Sequence, residues 1–537
     1  LGAAISYKIG IPGVAYPGEL PKVRGLARTF HQQIALGRPI AAVAIKGLTP
    51  AAAEDATSYL KFLLWCSAVV EELNQDFLTD AMNAGLSYSL KPTPGAFELQ
   101  VTGFSDKMPV LLQVVLRKMR QSNTIQPSTF KIVQTRLESI LKMQAFGQQP
   151  SELAQGQAMD LQSSLRFPAE EQLRLLQEVK VEDVQGLSDQ LLNTCHVEVL
   201  LSGNLNAQDA AGVAGMISEE LGVPSEPEAL PECKAAQLPS GSTVWQLDGI
   251  DSSDRNNAVL LQIQIPKSLT NAVLVSVLLV LLRDEFYNEL RTKQQLGYSV
   301  LMKESENEGF LQLSFEVQSE YPPDYVRSRI DSFLDEKLQW IERELEEQDF
   351  QRRRVGLISN LQMERKETGS LDGWNEISQR RYDFNRGEAK FLAMYAVQLA
   401  DLQSFVGQIL RPAPRLYVQV RSISNTSPRQ PLQADYTVAR PDRVWNDMQD
   451  VQSFREKATW VRDDWSSKEV YWPPSASPAS LNQLGRYGQL ALDNLLGRLG
   501  IRLGDDAVLI FATIVAGLAV GKLVPLVKSL LLMLMIE

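Results

Sequence analysis

The stretch LRDEFYNELRTKQQLGYSVL, Leu282–Leu301, has the pattern of a helix that ends in a Gly-marked turn and continues as a strand. A similar stretch, LNQDFLTDAMNAGLSYSL, occupies Leu73–Leu90, with a phenylalanine and a Tyr-Ser pair in matching places. Two later pairs of segments match in the same order, 130–141 with 350–361 and 181–187 with 399–405. Because several blocks recur in one order at a slowly drifting offset, the sequence predicts a duplicated domain of about 200 residues.

Each copy has the same succession of apolar patterns. A short strand, at Ile40 in the first copy and Asn257 in the second, precedes a long apolar helix. The segments FELQVTGF at Phe97 and FLQLSFEV at Phe310 alternate with the period of two that is typical of half-buried strands. Further helices and a closing strand follow in both copies. We therefore expect an α+β fold with two homologous domains, each a mainly antiparallel sheet with helices packed on one face.

Pro-rich and irregular stretches indicate where the predicted domains begin and end. A Pro-rich segment separates the two copies, and a Trp-containing, Pro/Ser-rich segment follows the second. The predicted division is an N-terminal extension (1–37), copy one (38–222), a linker (223–242), copy two (243–457), an extension with an amphipathic segment (458–506), a transmembrane helix (507–527) and an apolar C-terminus (528–537).

The C-terminal tail carries the strongest apolar run. Residues 507–521 are uncharged, and if Lys522 snorkels the run extends to Val527. A helix of that length spans about 31 Å, enough for a hydrocarbon core. Gly517 and Gly521 form a G-x-x-x-G pair, which favours close helix packing in lipid. A buried helical hairpin in a soluble complex and an interfacial helix are the alternatives.

Composition excludes several classes of function. The formal net charge of −11 argues against nucleic-acid binding, which needs a basic surface. Three widely spaced cysteines do not indicate a disulfide scaffold or a Cys-based zinc site, and the only histidines, His31 and His196, are too far apart for a helical metal-binding pair. The segment GLAVGKL at Gly517 lacks the spacing and the hydroxyl residue of a phosphate-binding loop, so no nucleotide is expected. No cofactor is predicted for this chain by itself.

Several motifs together resemble one family. LRTKQQLGYSV, the following FLQLSFEVQSEYPPDYVRSRIDSFL and the later WNEISQRRYDFNR occur in the order found in the C-terminal half of the large insulinase/pitrilysin-type zinc metallopeptidases, the M16 peptidases. AGLSYSL at Ala84 with VTGFSDKMPVLL resembles the third domain of that family. The resemblance extends over roughly residues 38–457.

This resemblance implies a fold and two site residues. In the family, four α+β domains form two bowl-shaped halves around a chamber, and the N-terminal half holds the zinc. The C-terminal half contributes an Arg and a Tyr that contact the substrate, and the resemblance implies that their counterparts here are Arg291 and Tyr298. A guanidinium and a phenol can both donate hydrogen bonds to a carbonyl oxygen or its oxyanion. The alternative is structural: Arg291 would favour a helix C-terminus, and Tyr298 would pack at a strand start.

The sequence contains no H-x-x-E-H zinc motif in either order. Our first hypothesis is therefore a non-catalytic M16-like subunit, a scaffold or peptide-docking module within a membrane-bound complex of an organelle, plastid or mitochondrion. The alternative is the substrate-binding half of an active zinc endopeptidase, with zinc supplied by an N-terminal half in a separate chain or removed from the precursor. Both have protein subunits or a polypeptide substrate as partners. A peptide binder that does not cleave lies between them.

Overall fold

The computed structural model describes residues 16–34, 39–76, 78–121, 125–147, 149–223, 229–364, 371, 373–384, 386–425, 429–431 and 436–462. Two six-stranded sheets, each with its own helices, contain most of these residues. We call residues 16–223 the first lobe and residues 242–462 the second lobe.

The sheet of the first lobe has the strand order β1-β2-β6-β3-β5-β4. Neighbours are antiparallel except for β2 and β6, which are parallel. The strands are β1 (Gly18–Glu19), β2 (Arg28–Gln33), β3 (Ile40–Leu48), β4 (Ser87–Thr93), β5 (Ala96–Phe104) and β6 (His196–Gly203).

Helices fill the intervals between these strands. They are α1 (Ala56–Asp76), α2 (Leu78–Asn83), α3 (Met108–Gln121), α4 (Pro127–Phe146), α5 (Pro150–Gln162), α6 (Ala169–Leu176), α7 (Val181–Val184), α8 (Leu187–Asn193) and α9 (Ala207–Leu221). Proline begins α4 and α5, where its missing N–H costs nothing. Asn206 caps α9 by accepting hydrogen bonds from the Gln208 and Asp209 amides, and left-handed Gly222 ends it.

The sheet of the second lobe has the order β10-β11-β9-β12-β8-β13. Its strands are β8 (Ser242–Asp248), β9 (Asn257–Pro266), β10 (Ser299–Glu306), β11 (Phe310–Ser319), β12 (Arg415–Arg421) and β13 (Arg443–Trp445), and a short pair joins β7 (Ala235–Ala236) to β14 (Trp460–Val461). The helices are α10 (Leu269–Tyr287), α11 (Pro323–Arg343), α12 (Glu347–Glu364), α13 (Trp374–Ser378), α14 (Arg386–Ala396), α15 (Leu399–Phe405) and α16 (Met448–Lys457).

The two sheets place corresponding strands in the same order. The strand order in the first lobe, β4-β5-β3-β6-β2, corresponds to the order β10-β11-β9-β12-β8 in the second. The outermost strand differs, because β1 enters from the chain before β2, whereas β13 comes from far later in the chain and lies parallel to β8. The α+β class predicted from the sequence is confirmed, and both sheets are mixed.

The expectation that helices cover one face of each sheet is incomplete, because each lobe also covers the second face of the other lobe's sheet. Helix α5 of the first lobe packs on the second sheet, where Leu161 and Ala158 meet Trp245, Leu260 and Val418. In return, Trp374 and Ile377 of α13 pack on Phe30, Ala44 and Leu200 of the first sheet. Burial on both faces explains why nearly every residue of β3 and β9 is buried.

Among the helices of the described ranges, none is both long and apolar enough to cross a membrane. The predicted span at residues 507–527, with Gly517 and Gly521, lies outside the described residues, as does the rest of the chain after residue 462.

Candidate functional site

The two residues predicted from the sequence lie on either side of one turn at the edge of the second sheet. Helix α10 continues into a π-helical turn, Asn288–Lys293, which contains Arg291. The chain then turns and enters β10, and Tyr298 is the residue immediately before that strand. The long apolar helix and the strand are both anchored in the core of the second lobe, so the turn between them has fixed ends.

Arg291 lies between two tyrosine rings. Its guanidinium carbon is 4.3 Å from the centroid of the Tyr298 ring and 5.5 Å from that of Tyr287. Tyr298 is 88% exposed and Tyr287 44% exposed, so the group faces solvent. Cation–π attraction to the two rings holds the guanidinium in place without using its N–H donors. We call Tyr287, Arg291 and Tyr298 the Arg291 cluster.

The guanidinium of Arg291 keeps its hydrogen-bonding capacity. Within the described part of the chain, it forms no hydrogen bond or ion pair with another residue. The nearest acid along the turn, Glu289, is bound instead by the Lys293 ammonium at 2.9 Å and by the Gln294 amide at 3.0 Å. The hydrogen bond from Lys293 holds the pKa of Glu289 below its usual value. Glu289 therefore stays charged and engaged with groups other than Arg291.

The position of Tyr298 depends on a close contact between two backbones. At Gly297 an added Cβ would lie 1.8 Å from the Gln318 carbonyl oxygen, so only glycine allows this approach. The buried Leu296 beside it donates its amide to the Leu290 carbonyl at 2.9 Å, and its own carbonyl accepts from the Ser319 hydroxyl. These contacts fix the turn at the base of Tyr298 while the ring projects into solvent.

The chemistry available at the Arg291 cluster is the donation of hydrogen bonds to oxygen. Arg291 offers a planar set of N–H donors, and the two phenols offer O–H donors. Such a set matches a carbonyl or carboxylate oxygen, and the ring faces would contact apolar groups next to it.

The described residues do not provide a zinc site. No group of three or more His, Cys, Asp and Glu side chains among them could hold a metal ion. His31 has its Nε2 at 2.9 Å from the Leu205 carbonyl, and His196 has its Nε2 at 2.9 Å from the Glu198 carboxylate. Neither histidine adjoins the Arg291 cluster.

Sequence reasoning did not single out Tyr287. A signal was present, because Tyr287 precedes Arg291 by four positions, and side chains four apart on a helix lie on one face. The predicted pair, Arg291 and Tyr298, does lie together in the structure, at the ring contact given above.

Comparison with known proteins finds a match in each lobe. Residues 30–175 match the family described as "Middle or third domain of peptidase_M16", and residues 277–372 match "PQQ synthase PqqF-like, C-terminal lobe domain 4". The second match includes the Arg291 cluster. The human protein named "Insulin-degrading enzyme" is 28% identical over 401 residues, which cover 72% of this chain and 38% of that protein. By these matches the chain is similar to the C-terminal half of an M16 peptidase.

Solved structures agree with this M16 fold. Pitrilysin matches with a TM-score of 0.70 at 18% identity, covering 84% of this chain and 47% of pitrilysin. A structure titled as a peptidase M16 inactive domain from Pseudomonas fluorescens matches with a TM-score of 0.59 at 13% identity, covering 78% of this chain and the whole of that one. The chain thus spans well under half of the curated relative it matches and about half of pitrilysin.

Proposed function

We propose that this chain is a polypeptide-docking module with the M16 fold, and that the Arg291 cluster is where the polypeptide binds. The proposal is carried by the guanidinium of Arg291, which contacts two exposed tyrosine rings and forms no hydrogen bond or ion pair with the other described residues. A peptide offers a carbonyl oxygen at every residue, and frequent carboxylates, for such a donor. The proposal is compatible with a non-catalytic peptide-docking subunit and with a peptidase half, because both would bind a polypeptide; a pure scaffold would not need this contact.

The test is binding of an unfolded polypeptide to the 537-residue chain. The probe is fluorescein-labelled, reduced and carboxymethylated α-lactalbumin, followed by fluorescence anisotropy. Removing a charged hydrogen-bond donor costs about 1.5–3 kcal/mol, so we expect Arg291→Ala to weaken binding roughly tenfold to a hundredfold.

The matched control is Arg174→Ala, on α6 of the first lobe. Its side chain is 67% exposed and lies 3.7 Å from Glu178. We expect that variant to bind like the parent. Equal affinity of the parent and Arg291→Ala would overturn the proposal.

The second candidate function is cleavage of the docked polypeptide when a zinc-bearing N-terminal half joins this chain. Its support is the match to "Insulin-degrading enzyme", of which this chain covers only 38%. Zinc would be supplied by that half, and this chain would contribute Arg291 and Tyr298 as donors to the substrate. A docking subunit of a membrane-bound complex, attached through residues 507–527, needs no such partner.

Purification under mild detergent distinguishes the two functions. The peptidase hypothesis expects a co-purifying chain with an H-x-x-E-H motif, stoichiometric zinc and peptide cleavage by the complex. In that complex Arg291→Ala should lower turnover about a hundredfold, as loss of an oxyanion donor does. A complex without zinc and without cleavage would favour the docking subunit.

A further inference from the structure

The two sheets have four outermost strands, and three of them are protected against pairing with another chain. β1 has two residues and β13 has three, too short to template a strand. β4 is longer but carries Lys91 and Pro92, and proline lacks the N–H that a ladder needs. β10 has eight residues and no proline. It pairs with β11 on one side and, among the described strands, with none on the other.

The first half of β10 is the open part of this edge. Leu301 is 49% exposed and adds an apolar side chain to this edge. Lys303 does not guard the edge, because its ammonium donates to the Gln155 side chain of α5 at 2.8 Å. In the second half, Glu304 and Glu306 are engaged by neighbours, including Lys390 and Arg386. Residues Ser299–Met302 therefore combine unpaired backbone groups with an exposed apolar side chain.

This open edge begins directly at the Arg291 cluster. Tyr298 is the residue before Ser299, and Arg291 contacts the Tyr298 ring. Within the described part of the chain, a cation with no acidic partner thus lies at one end of an open backbone edge, and an apolar side chain lies two residues into the strand. The complementary ligand is another extended backbone with an acidic group at one end and an apolar residue beyond it.

We infer that an extended segment of the polypeptide substrate adds to the second sheet as a strand along Ser299–Met302, with an acidic side chain beside Arg291 and an apolar one beside Leu301. This inference rests on the proposed function and specifies how the polypeptide is held. Main-chain hydrogen bonds to β10 give affinity for many sequences, and Arg291 and Leu301 add the preference.

Backbone N-methylation tests the inference. The probe is the fluorescein-labelled peptide Glu-Val-Thr-Val-Thr-Val-Thr, with two versions N-methylated at alternate residues, one on even and one on odd positions. A strand added to an edge uses every second N–H, so one version should bind at least tenfold more weakly than the unmodified peptide and the other should stay within threefold.

Each pattern of peptide results has a defined consequence. If both methylated peptides bind like the parent while Arg291→Ala weakens all three, docking stands and strand addition is wrong. If the unmodified peptide and the α-lactalbumin probe both fail to bind, the proposed function itself is wrong.

A pair of variants on one face of β10 gives an independent test. Leu301→Lys places a charge on the open half and should weaken peptide binding at least fivefold. Ser305 is also exposed but lies in the second half of β10, whose acidic side chains are engaged by neighbours. Ser305→Lys should therefore leave peptide binding unchanged. A dimer that Leu301→Lys dissociates, with peptide affinity unaltered, would overturn the inference, because the edge would then pair with a second copy of this chain.

Discussion

At the scale of single residues, Gly297 supports the site without touching a ligand. A Cβ there would lie 1.8 Å from the Gln318 carbonyl oxygen, and backbone atoms cannot move aside as a flexible side chain would. We expect Gly297→Ala to lower the free energy of unfolding by about 2–3 kcal/mol through overpacking, measured by urea denaturation. It should also weaken binding of the α-lactalbumin probe, because the base of Tyr298 shifts.

The control for this prediction is Gly356→Ala in α12. A Cβ at Gly356 meets nothing within 4 Å. Alanine is the better helix former, so this variant should gain about 0.5–1 kcal/mol. Gly297→Ala with the stability and the binding of the parent would show that the close contact does not shape the turn.

A second residue-scale prediction concerns Tyr382, which donates its hydroxyl to the fully buried Glu198 carboxylate at 2.5 Å. His196 contacts the same carboxylate, and the Arg28 guanidinium lies 3.9 Å from the Tyr382 ring centroid. Burial, reinforced by the charge of Glu198, raises the pKa of Tyr382 to about 12. An unfolded tyrosine has a pKa near 10, so the folded state holds this proton more tightly.

The pH dependence follows from that direction. The contribution of Tyr382 is fully present below about pH 10 and is lost as the pH rises towards 12, because the unfolded chain releases the proton first. Tyr382→Phe should be less stable than the parent by about 1–2 kcal/mol at pH 8. Urea denaturation at pH 8 and pH 11 should show this difference shrinking. A difference that grows with pH would mean that the hydroxyl does not stabilise the buried carboxylate as a donor.

Residue types and spacing predicted part of the site. Arg291 and Tyr298 are separated by a turn that the Gly297 pattern indicated, so their proximity was within reach of the sequence. The sequence did not predict that Arg291 has no acidic partner among the described residues, because this depends on Glu289 being bound by Lys293 and Gln294. Competition among side chains within one turn is decided by geometry.

At the scale of elements, Gln162 at the end of helix α5 bonds to two buried glutamines in strands β9 and β11 of the second sheet. The Gln162 amide donates to the Gln262 carbonyl oxygen at 2.7 Å, and the Gln312 amide donates to the Gln162 carbonyl oxygen at 2.6 Å. All three side chains are at least nine-tenths buried. We expect Gln162→Leu to cost about 2–4 kcal/mol in urea denaturation, because it leaves a buried acceptor and a buried donor without partners.

The controls for Gln162→Leu isolate that cause. Gln208→Leu makes the same chemical change at an exposed position of α9 and should stay within about 0.5 kcal/mol of the parent. Changing Gln162, Gln262 and Gln312 together to leucine should recover most of the loss, since no polar group is then left unsatisfied. A triple variant less stable than Gln162→Leu would indicate a packing cause instead.

Alternating patterns located strands such as β5 and β11 well, because a period of two reflects which face is buried. The packing partner of α5 could not be predicted from the sequence, for a physical reason. Its sequence, PSELAQGQAMDLQ, is rich in small residues and glutamine. Such a composition fits a helix face in solvent as well as one in an interface that contains polar groups. The expectation of one covered face failed because the second cover comes from the other lobe.

At the scale of the whole molecule, each lobe completes the other. The apolar patch at Phe30 and Leu200 is covered by α13, and the patch at Trp245 and Leu260 is covered by α5. Such contacts join residues more than eighty positions apart, so no local pattern predicts them. The duplication suggested by the sequence gives two similar sheets, but not the exchange of helices between them.

This exchange predicts that the two lobes unfold together. Leu161 on α5 is 1% exposed and belongs to the first lobe, yet it packs against the second sheet, so Leu161→Ala should cost about 2–4 kcal/mol. Leu192 is fully buried in the core of the first lobe alone. Hydrogen exchange at increasing urea can be resolved by mass spectrometry for β3 and β9. In each variant, the unfolding midpoints of β3 and β9 should fall by the same amount. If Leu192→Ala lowers the unfolding midpoint of β3 and leaves that of β9 unchanged, the lobes unfold independently. The exchanged helices then do not join the two lobes into one cooperative core.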